Sequence, residues 1–292
     1  MTDLTTLFCD IDDFVKDLNY SKGQILLKST EGSRGSKPRM SLSELMTIII
    51  LYHSSGHKTF KDFYFYLLQY HKSDFPKLLS YNRFIEWMPY CLLPLCSYLK
   101  SRRGTVTGIA YIDSCPLAVC KNIRIPRNKV FKGIAARGKC SMGWFFGFKL
   151  HIIVNECGEL LAFKVTKGNT NDRVPVKEMC EGLSGKLFGD KGYIGKKLFE
   201  ELWDDGVQLI TNVKSNMKNK LVPLADKLLL RKRFIIETIN DQLKNISNIE
   251  HSRHRSPINF MVNVIAGLIS YSWQEKKPSI TMSENLREHA LA

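Results

Sequence analysis

The sequence has no C-x-x-C pair, no apolar run of membrane length, and almost no acid across one long central stretch. Its eight cysteines, at 9, 91, 96, 115, 120, 140, 157 and 180, lack the close pairing of structural zinc sites, and none of the seven histidines completes such a pattern. Reduced, mostly buried thiols of a cytosolic protein are expected instead. No stretch approaches the ~18 consecutive apolar residues of a membrane span. The nearest, Phe260 to Trp273, is shorter and contains Asn263, Ser270 and Ser272. Near the N-terminus stand Asp3, Asp10, Asp12 and Asp13, where a secretory signal needs a basic start and an apolar run. Secretion and membrane insertion are not expected. Internal repeats and low-complexity tracts are also absent.

What is present is positive charge, unevenly placed. The 292 residues carry 43 Lys+Arg against 28 Asp+Glu, a net charge of +15. Residues 101–150 hold ten basic side chains and one acid, Asp113, and a second concentration lies at Lys227 to Arg233. Clustered Lys and Arg neutralise phosphates and release counterions, so a polyanion is the expected partner. Nucleic acid fits better than an acidic lipid surface, because the cluster does not lie on an amphipathic helix. A hydrophobic fraction of 44% excludes general disorder, and the length suggests two domains.

The first hundred residues read as helices. Leu4, Leu7, Phe8, Ile11, Phe14, Val15 and Leu18 repeat at helical spacing. Ser41 and Glu44 form a capping box ahead of Leu45 to Tyr52. Thr59 to Asp62 starts another helix through Gln69, and a further one over Tyr81 to Leu99 is bent by Pro89 and Pro94. Such short helices suit a helix-turn-helix DNA reader or an ordinary helical domain. After Ser101 the texture becomes mixed. Strands are predicted at Thr105 to Ile112, Phe145 to Val154, Leu160 to Val165, Lys186 to Phe188 and Val207 to Val213. Helices are predicted at Arg173 to Leu183, Gly195 to Asp204, Leu229 to Ile249 and Pro257 to Trp273. The basic stretch Lys121 to Lys139, with Gly133 and Gly138, is expected to order only on DNA. The expected organisation is a helical, DNA-binding domain at 1–102, an α/β catalytic domain at 103–275 and a polar tail at 276–292.

Three carboxylates fall at the ends of predicted elements. Asp113 follows the first strand, and Asp190 follows the fourth between Gly189 and Gly192, which give the backbone freedom to present it. Each alone could be a turn or capping Asp. On a helical wheel of about 100° per residue, Arg233, Glu237 and Lys244 share one face while Ile236, Ile239, Leu243 and Ile246 share another. A surface Arg–Glu pair would read the same way. The order βββ-α-β-α-β-α, with acids after the first and fourth strands and on a later helix, is the ribonuclease-H-like arrangement, in which those strands are neighbours. Carboxylates without His or Cys suit Mg²⁺ or Mn²⁺, and paired ions of this kind drive phosphodiester chemistry. Asp172 reads as a helix N-cap before Val174 and Pro175, or as an assistant to the site. His151 reads as a packed or phosphate-contacting residue rather than a general base.

These motifs resemble the DDE transposases of bacterial insertion sequences, in the group with a Tyr-x-x-Arg-x-x-x-Glu-x6-Lys signature. Arg233, Glu237 and Lys244 match it, with Leu230 at the Tyr position. Tyr-Ile-Asp113-Ser and Gly-Asp190-Lys-Gly-Tyr193 match the other two motifs. Gly138 to His151, and the turn Gly168 to Asp172, also look like this group. The resemblance implies metal-dependent cleavage at transposon ends and joining of a 3′-hydroxyl to target DNA, with Asp113, Asp190 and Glu237 as catalytic metal ligands. It also implies double-stranded DNA as substrate, a homodimer on that DNA, and a place in the bacterial cytoplasm beside the nucleoid. Arg124, Arg127, Lys129, Lys132, Arg137, Lys139, Lys149, Arg233 and Lys244 are the candidate DNA contacts. A ribonuclease-H-like nuclease that does not join strands, and a non-catalytic DNA-binding descendant, are the alternatives.

Overall fold

The computed structural model describes residues 3–21, 39–213, 222–250, 254–284 and 287–288. The chain divides into two compact units: 1–102 with 243–249 and 254–274, and 103–242 with 250–253 and 275–292. Among the described residues no helix is long and apolar enough to cross a membrane.

The first unit is helical. It contains α1 (Leu4–Ser21), α2 (Leu42–Ser54), α3 (Phe60–Tyr70), α4 (Tyr81–Trp87) and α5 (Leu92–Ser101), with a 3-10 turn over Met88–Cys91 where Pro89 interrupts helical hydrogen bonding. The Ser41 hydroxyl accepts from Glu44 N–H and the Glu44 carboxylate accepts from Ser41 N–H, so the capping box forms. At its centre lies α10 (Pro257–Ser272), opened by Ser256 and buried from Val262 to Tyr271. A helix that is apolar all round must be enclosed, and α2 and α5 supply that enclosure. The helix predicted at Pro257 to Trp273 therefore forms, but it packs among N-terminal helices rather than on the sheet. The helix α2 is itself buried from Leu45 to His53, which leaves it no free face to read DNA.

The second unit is built on a sheet of β1 (Ile109–Cys120), β2 (Ala136–Cys140), β3 (Gly143–Asn155), β4 (Leu160–Lys167), β5 (Gly185–Gly189) and β6 (Val207–Thr211). Its order is β2-β3-β1-β5-β6, with β4 also on β3. The β1–β3 and β3–β4 pairs are antiparallel, and β1–β5 and β5–β6 are parallel. This is the ribonuclease-H-like order, in a mixed α/β fold preceded by helices.

One face of the sheet packs Ala110, Ile112, Ile153 and Leu187 against α6 (Val176–Met179) and α7 (Lys196–Asp204). On the other face Tyr111 stacks on Phe188 and its hydroxyl reaches Leu229 O in α8 (Leu224–Arg231). Next along the chain is α9 (Phe234–Asn245).

Several expectations change. Residues 121–139 form a 3-10 helix at Asn122–Arg127, turns anchored by buried Phe131, and then β2. Gly138 does not loosen this stretch, since a Cβ there would meet Gly168 O at 2.1 Å. The helix expected at Arg173 to Leu183 shrinks to α6, which starts after Pro175 at its N-cap and cannot continue through Gly182 at a φ of +77°. The single helix expected over Leu229 to Ile249 is two. Lys232 N–H bonds to Leu228 and Leu229 carbonyls and closes α8 before α9 begins. Ile246, past the end of α9, is 54% exposed rather than buried with Ile236, Ile239 and Leu243.

Part of the expected polar tail, 285–286 and 289–292, lies outside the described residues. The rest is fastened down: Ile280 N–H donates to Glu156 O at 2.8 Å and Lys232 Nζ to Thr281 O at 2.8 Å. Of the cysteines, Cys91, Cys115, Cys120 and Cys180 are buried and Cys9 and Cys157 are exposed.

Candidate active site

The strands β1 and β5 pair in parallel as Ile109–Lys186, Ala110–Leu187 and Tyr111–Phe188, an offset of 77 positions. Asp113 and Asp190 stand the same 77 positions apart. Each therefore lies two residues past the last paired rung, level with the other. Asp113 does not end its strand as expected, because β1 continues to Cys120 by pairing with β3. It stands instead where the parallel neighbour stops, and that opening at the carboxyl end of β5 is the rim where α/β sheets place their sites.

Asp190 caps the 3-10 turn Lys191–Tyr193, its Oδ1 accepting from Gly192 N–H at 2.8 Å. The glycines beside it do not supply left-handed backbone, as neither has a positive φ. They supply space: a Cβ on Gly189 would come within 3.0 Å of the Tyr193 ring, and one on Gly192 within 2.9 Å of Asp190 Oδ1.

Glu237 lies in the first turn of α9, and Arg233 in the turn before it. Arg233 Nη2 donates to Glu237 Oε1 at 2.7 Å. One turn further along, Asn240 Nδ2 donates to Asp113 Oδ2 at 3.2 Å. Asn240 drew no notice in the sequence, although its i+3 spacing from Glu237 sets it toward the same side of the helix. Burial pushes the Asp113 carboxyl up to about 6. The Ser114 backbone N–H and the Arg233 guanidinium oppose that rise, and Asp190 and Glu237 add to it. All three acids thus act on one small region, with one guanidinium among them.

Three carboxylates present only hard oxygen donors, which fits Mg²⁺ or Mn²⁺. Among the described residues no three His, Cys, Asp or Glu groups converge closely enough to hold a metal ion. Each acid instead engages a protein donor: Asn240, Gly192 N–H or Arg233. The residue chemistry fits the cation, and each of these bonds engages one oxygen of its carboxylate.

A second polar group lies around Ser114. Asp172 Oδ1 accepts from Ser114 Oγ at 2.8 Å and from Lys149 Nζ at 2.9 Å, and Lys149 Nζ also donates to Thr170 O. Asp172 is therefore no helix cap; Pro175 holds the N-cap position of α6 without a side-chain bond. His151 is fully buried and hydrogen-bonded through Nε2 to Thr166 Oγ1 at 2.8 Å, and burial pushes its imidazole down to about 4. It is packed, and its burial favours the neutral ring. Burial, then Asp113, Asp172 and Asp190, drive the Tyr193 phenol far above its ordinary range.

Arg124, Arg127, Lys129, Lys132, Arg137 and Lys139 are exposed along the 121–140 stretch, whereas Lys149 is half-buried against Asp172. Lys244 lies in the last turn of α9. Leu230, at the signature's Tyr position, is a buried apolar residue of α8.

No curated protein sequence matches the chain. Its fold is similar to that of a piggyBac transposase in a synaptic complex with hairpin DNA, solved by cryo-electron microscopy. The TM-score is 0.48 at 10% identity, covering 100% of this chain and 80% of that one. The sequence profile of the family described as Transposase DDE domain matches residues 103–257, from just before β1 to the start of α10. That match takes in all three acids and more than half of the sequence, and the chain belongs to the DDE-domain transposase family.

Proposed function

We propose that this transposase cuts phosphodiesters at transposon ends and joins the freed 3′-hydroxyl to target DNA, with Asp113, Asp190 and Glu237 as its catalytic carboxylates. The observation that carries this reading is the shared 77-residue offset, which sets Asp113 and Asp190 side by side. Glu237 acts on Asp113 from α9.

The three acids would hold Mg²⁺, with Mn²⁺ as a substitute. When bound, divalent cations supply Lewis-acid activation of the attacking oxygen and stabilise the leaving one. Asn240 orients the Asp113 carboxylate through its amide. Arg233, released from Glu237 when that acid turns inward, is placed to bind the phosphate being cut. Such a guanidinium stabilises charge gained by phosphoryl oxygens in the transition state. Asp113 must be ionised to serve, and with its carboxyl near 6 most copies are ionised at neutral pH.

The exposed basic residues Arg124, Arg127, Lys129, Lys132, Arg137 and Lys139 would contact duplex phosphates, with Arg233, Lys149 and Lys244 nearer the cut. The sheet-bearing unit, 103–242 with 250–253 and 275–292, would form the catalytic domain, and the helical unit that includes α10 would add DNA contacts. Two copies would act together, since two ends must be joined. An insertion-sequence origin and a bacterial, nucleoid-associated location belong to the same reading.

A supercoiled plasmid carrying terminal repeats tests it. The expected result is Mg²⁺-dependent cleavage and joining, abolished by Asp113→Asn, Asp190→Asn and Glu237→Gln with DNA binding retained. Cleavage without joined product would favour a simple nuclease. Binding without cleavage would favour a non-catalytic descendant.

A further inference from the structure

Between Asp113 and Glu156 the chain has no acidic residue, and the hairpin of β2 and β3 projects from the middle of that stretch. Its turn, Ser141–Met142, closes on Gly143 at a φ of +113°, a conformation that L side chains rarely adopt. Two large apolar side chains stand out at the tip: Met142 is 95% exposed and Trp144 is 62% exposed. Trp144 pairs across the hairpin with Lys139, whose Nζ lies 5.9 Å from the indole centroid. Asn122 Nδ2 donates to Trp144 O at 2.7 Å and ties the 3-10 helix carrying Arg124 and Arg127 to the base of the tip. The Trp144 backbone is thus tied to that basic 3-10 helix, and the Lys139 ammonium lies over its exposed indole.

Exposed tryptophan and methionine raise no stability in water. Isolated cations, for their part, need no aromatic beside them to bind phosphate. The two together are what an unpaired nucleotide requires: a flat apolar surface for the base and positive charge for its backbone. A base inside a duplex has both faces covered, whereas the last base of a cut or frayed end has one face open.

We infer that the β2–β3 hairpin is a stacking platform for an unpaired DNA base, with Trp144 under the base, Met142 as a wedge against the adjoining pair, and Lys139 and Arg137 on the flanking phosphates. This rests on the reading that the protein binds and cuts DNA. Apolar wedges of this type unstack base steps in other protein–DNA contacts. The platform favours an overhang over a blunt end because an overhang base has no pairing partner and its face can be stacked without displacing one.

The test measures binding of the full chain to two probes, a blunt duplex and the same duplex with a single-stranded DNA overhang. The overhang carries 2-aminopurine, whose fluorescence falls on stacking. The wild type is expected to bind the overhang probe roughly 10-fold more tightly than the blunt one and to quench the probe. Trp144→Ala removes both the preference and the quenching, while Trp144→Phe keeps most of each. Unchanged melting of both variants establishes that they fold. Salt dependence separates the two components: Lys139→Gln lowers the slope of log affinity against log salt by about one, and Trp144→Ala leaves it alone.

A Trp144→Ala protein that keeps the overhang preference and quenching overturns the platform while leaving duplex binding intact. A preference shown only for an RNA overhang overturns it as well. A wild type that binds neither probe removes the DNA-binding reading itself.

Discussion

Asn240 donates its side-chain amide to the Asp113 carboxylate over 3.2 Å, across 127 residues of chain. The bond joins α9 to β1 and places Glu237, one turn earlier on α9, on the side of that acid. Groups that orient a metal-binding carboxylate affect activity strongly although they touch no substrate. Replacing Asn240 by Ala is expected to slow plasmid cleavage by roughly 10- to 100-fold. Asn240→Asp, which adds a like charge beside Asp113, should be worse than Ala. A cleavage rate equal to wild type in the Ala variant would remove Asn240 from the site.

Asp113 also makes the fold pH-sensitive. Its folded carboxyl is near 6 against an ordinary 3.8, so between those values the native state holds more protons than the unfolded one. Stability from this group is then lost as pH rises through that window. In metal-free protein, Asp113→Asn should raise Tm at about pH 7.5 and change it far less at about pH 3.5, where most unfolded chains carry the proton as well. Thermal melts at the two pH values measure the difference.

His151 works in the opposite direction. Its imidazole is pushed down to about 4 from 6.5, so the unfolded chain takes up a proton first as pH falls. This contribution is complete above 6.5 and is lost on acidification toward 4. The ring should remain neutral at about pH 6, a state that nitrogen chemical shifts of the labelled imidazole report directly. A protonated ring at that pH would contradict its buried, Thr166-bonded placement.

Lys186 on β5 and Asp226 on α8 form a nearly enclosed pair at 3.1 Å. Removing one partner strands the other charge, so Asp226→Asn or Lys186→Met alone should destabilise by about 3–5 kcal/mol. The double change to Met and Leu should recover most of that loss. Denaturant melts of the four proteins complete the cycle. The pair fastens β5, which ends at Gly189 just before Asp190, to α8.

The basic side chains should separate into two classes. Arg124→Ala and Arg137→Ala, both exposed, should each lower the salt slope of duplex binding by about one with no loss of stability. Lys149→Ala should lower Tm, since its ammonium is bonded to Asp172 and Thr170 O. Titrations at several salt concentrations together with melts would distinguish them.

Much of this was visible in residue order because its causes are local. The Ser41 capping box, the Thr59 cap and the break at Pro89 depend on neighbours a few positions away. Where a distant partner decides, the local pattern misled. β1 runs past Asp113 because β3 offers it hydrogen bonds to Cys120, and no periodicity within β1 encodes that partner. The basic stretch carries Gly133 and Gly138, and its order comes from β3, which pairs with β2, and from buried Phe131, which packs on Phe148. Asp172 looked like a cap because Pro175 follows it, but Ser114 and Lys149 claim it.

Residue order alone supplies three candidate carboxylates, a nearly acid-free basic stretch, and a helix apolar enough to demand burial. Their placement was decided by tertiary structure. The parallel register of β1 and β5 brings Asp113 level with Asp190, the closure of α8 at Lys232 sets Arg233 beside Glu237, and α2 and α5 enclose α10. Each of these depends on hydrogen bonds or packing between segments far apart in the chain, which only the folded molecule brings together.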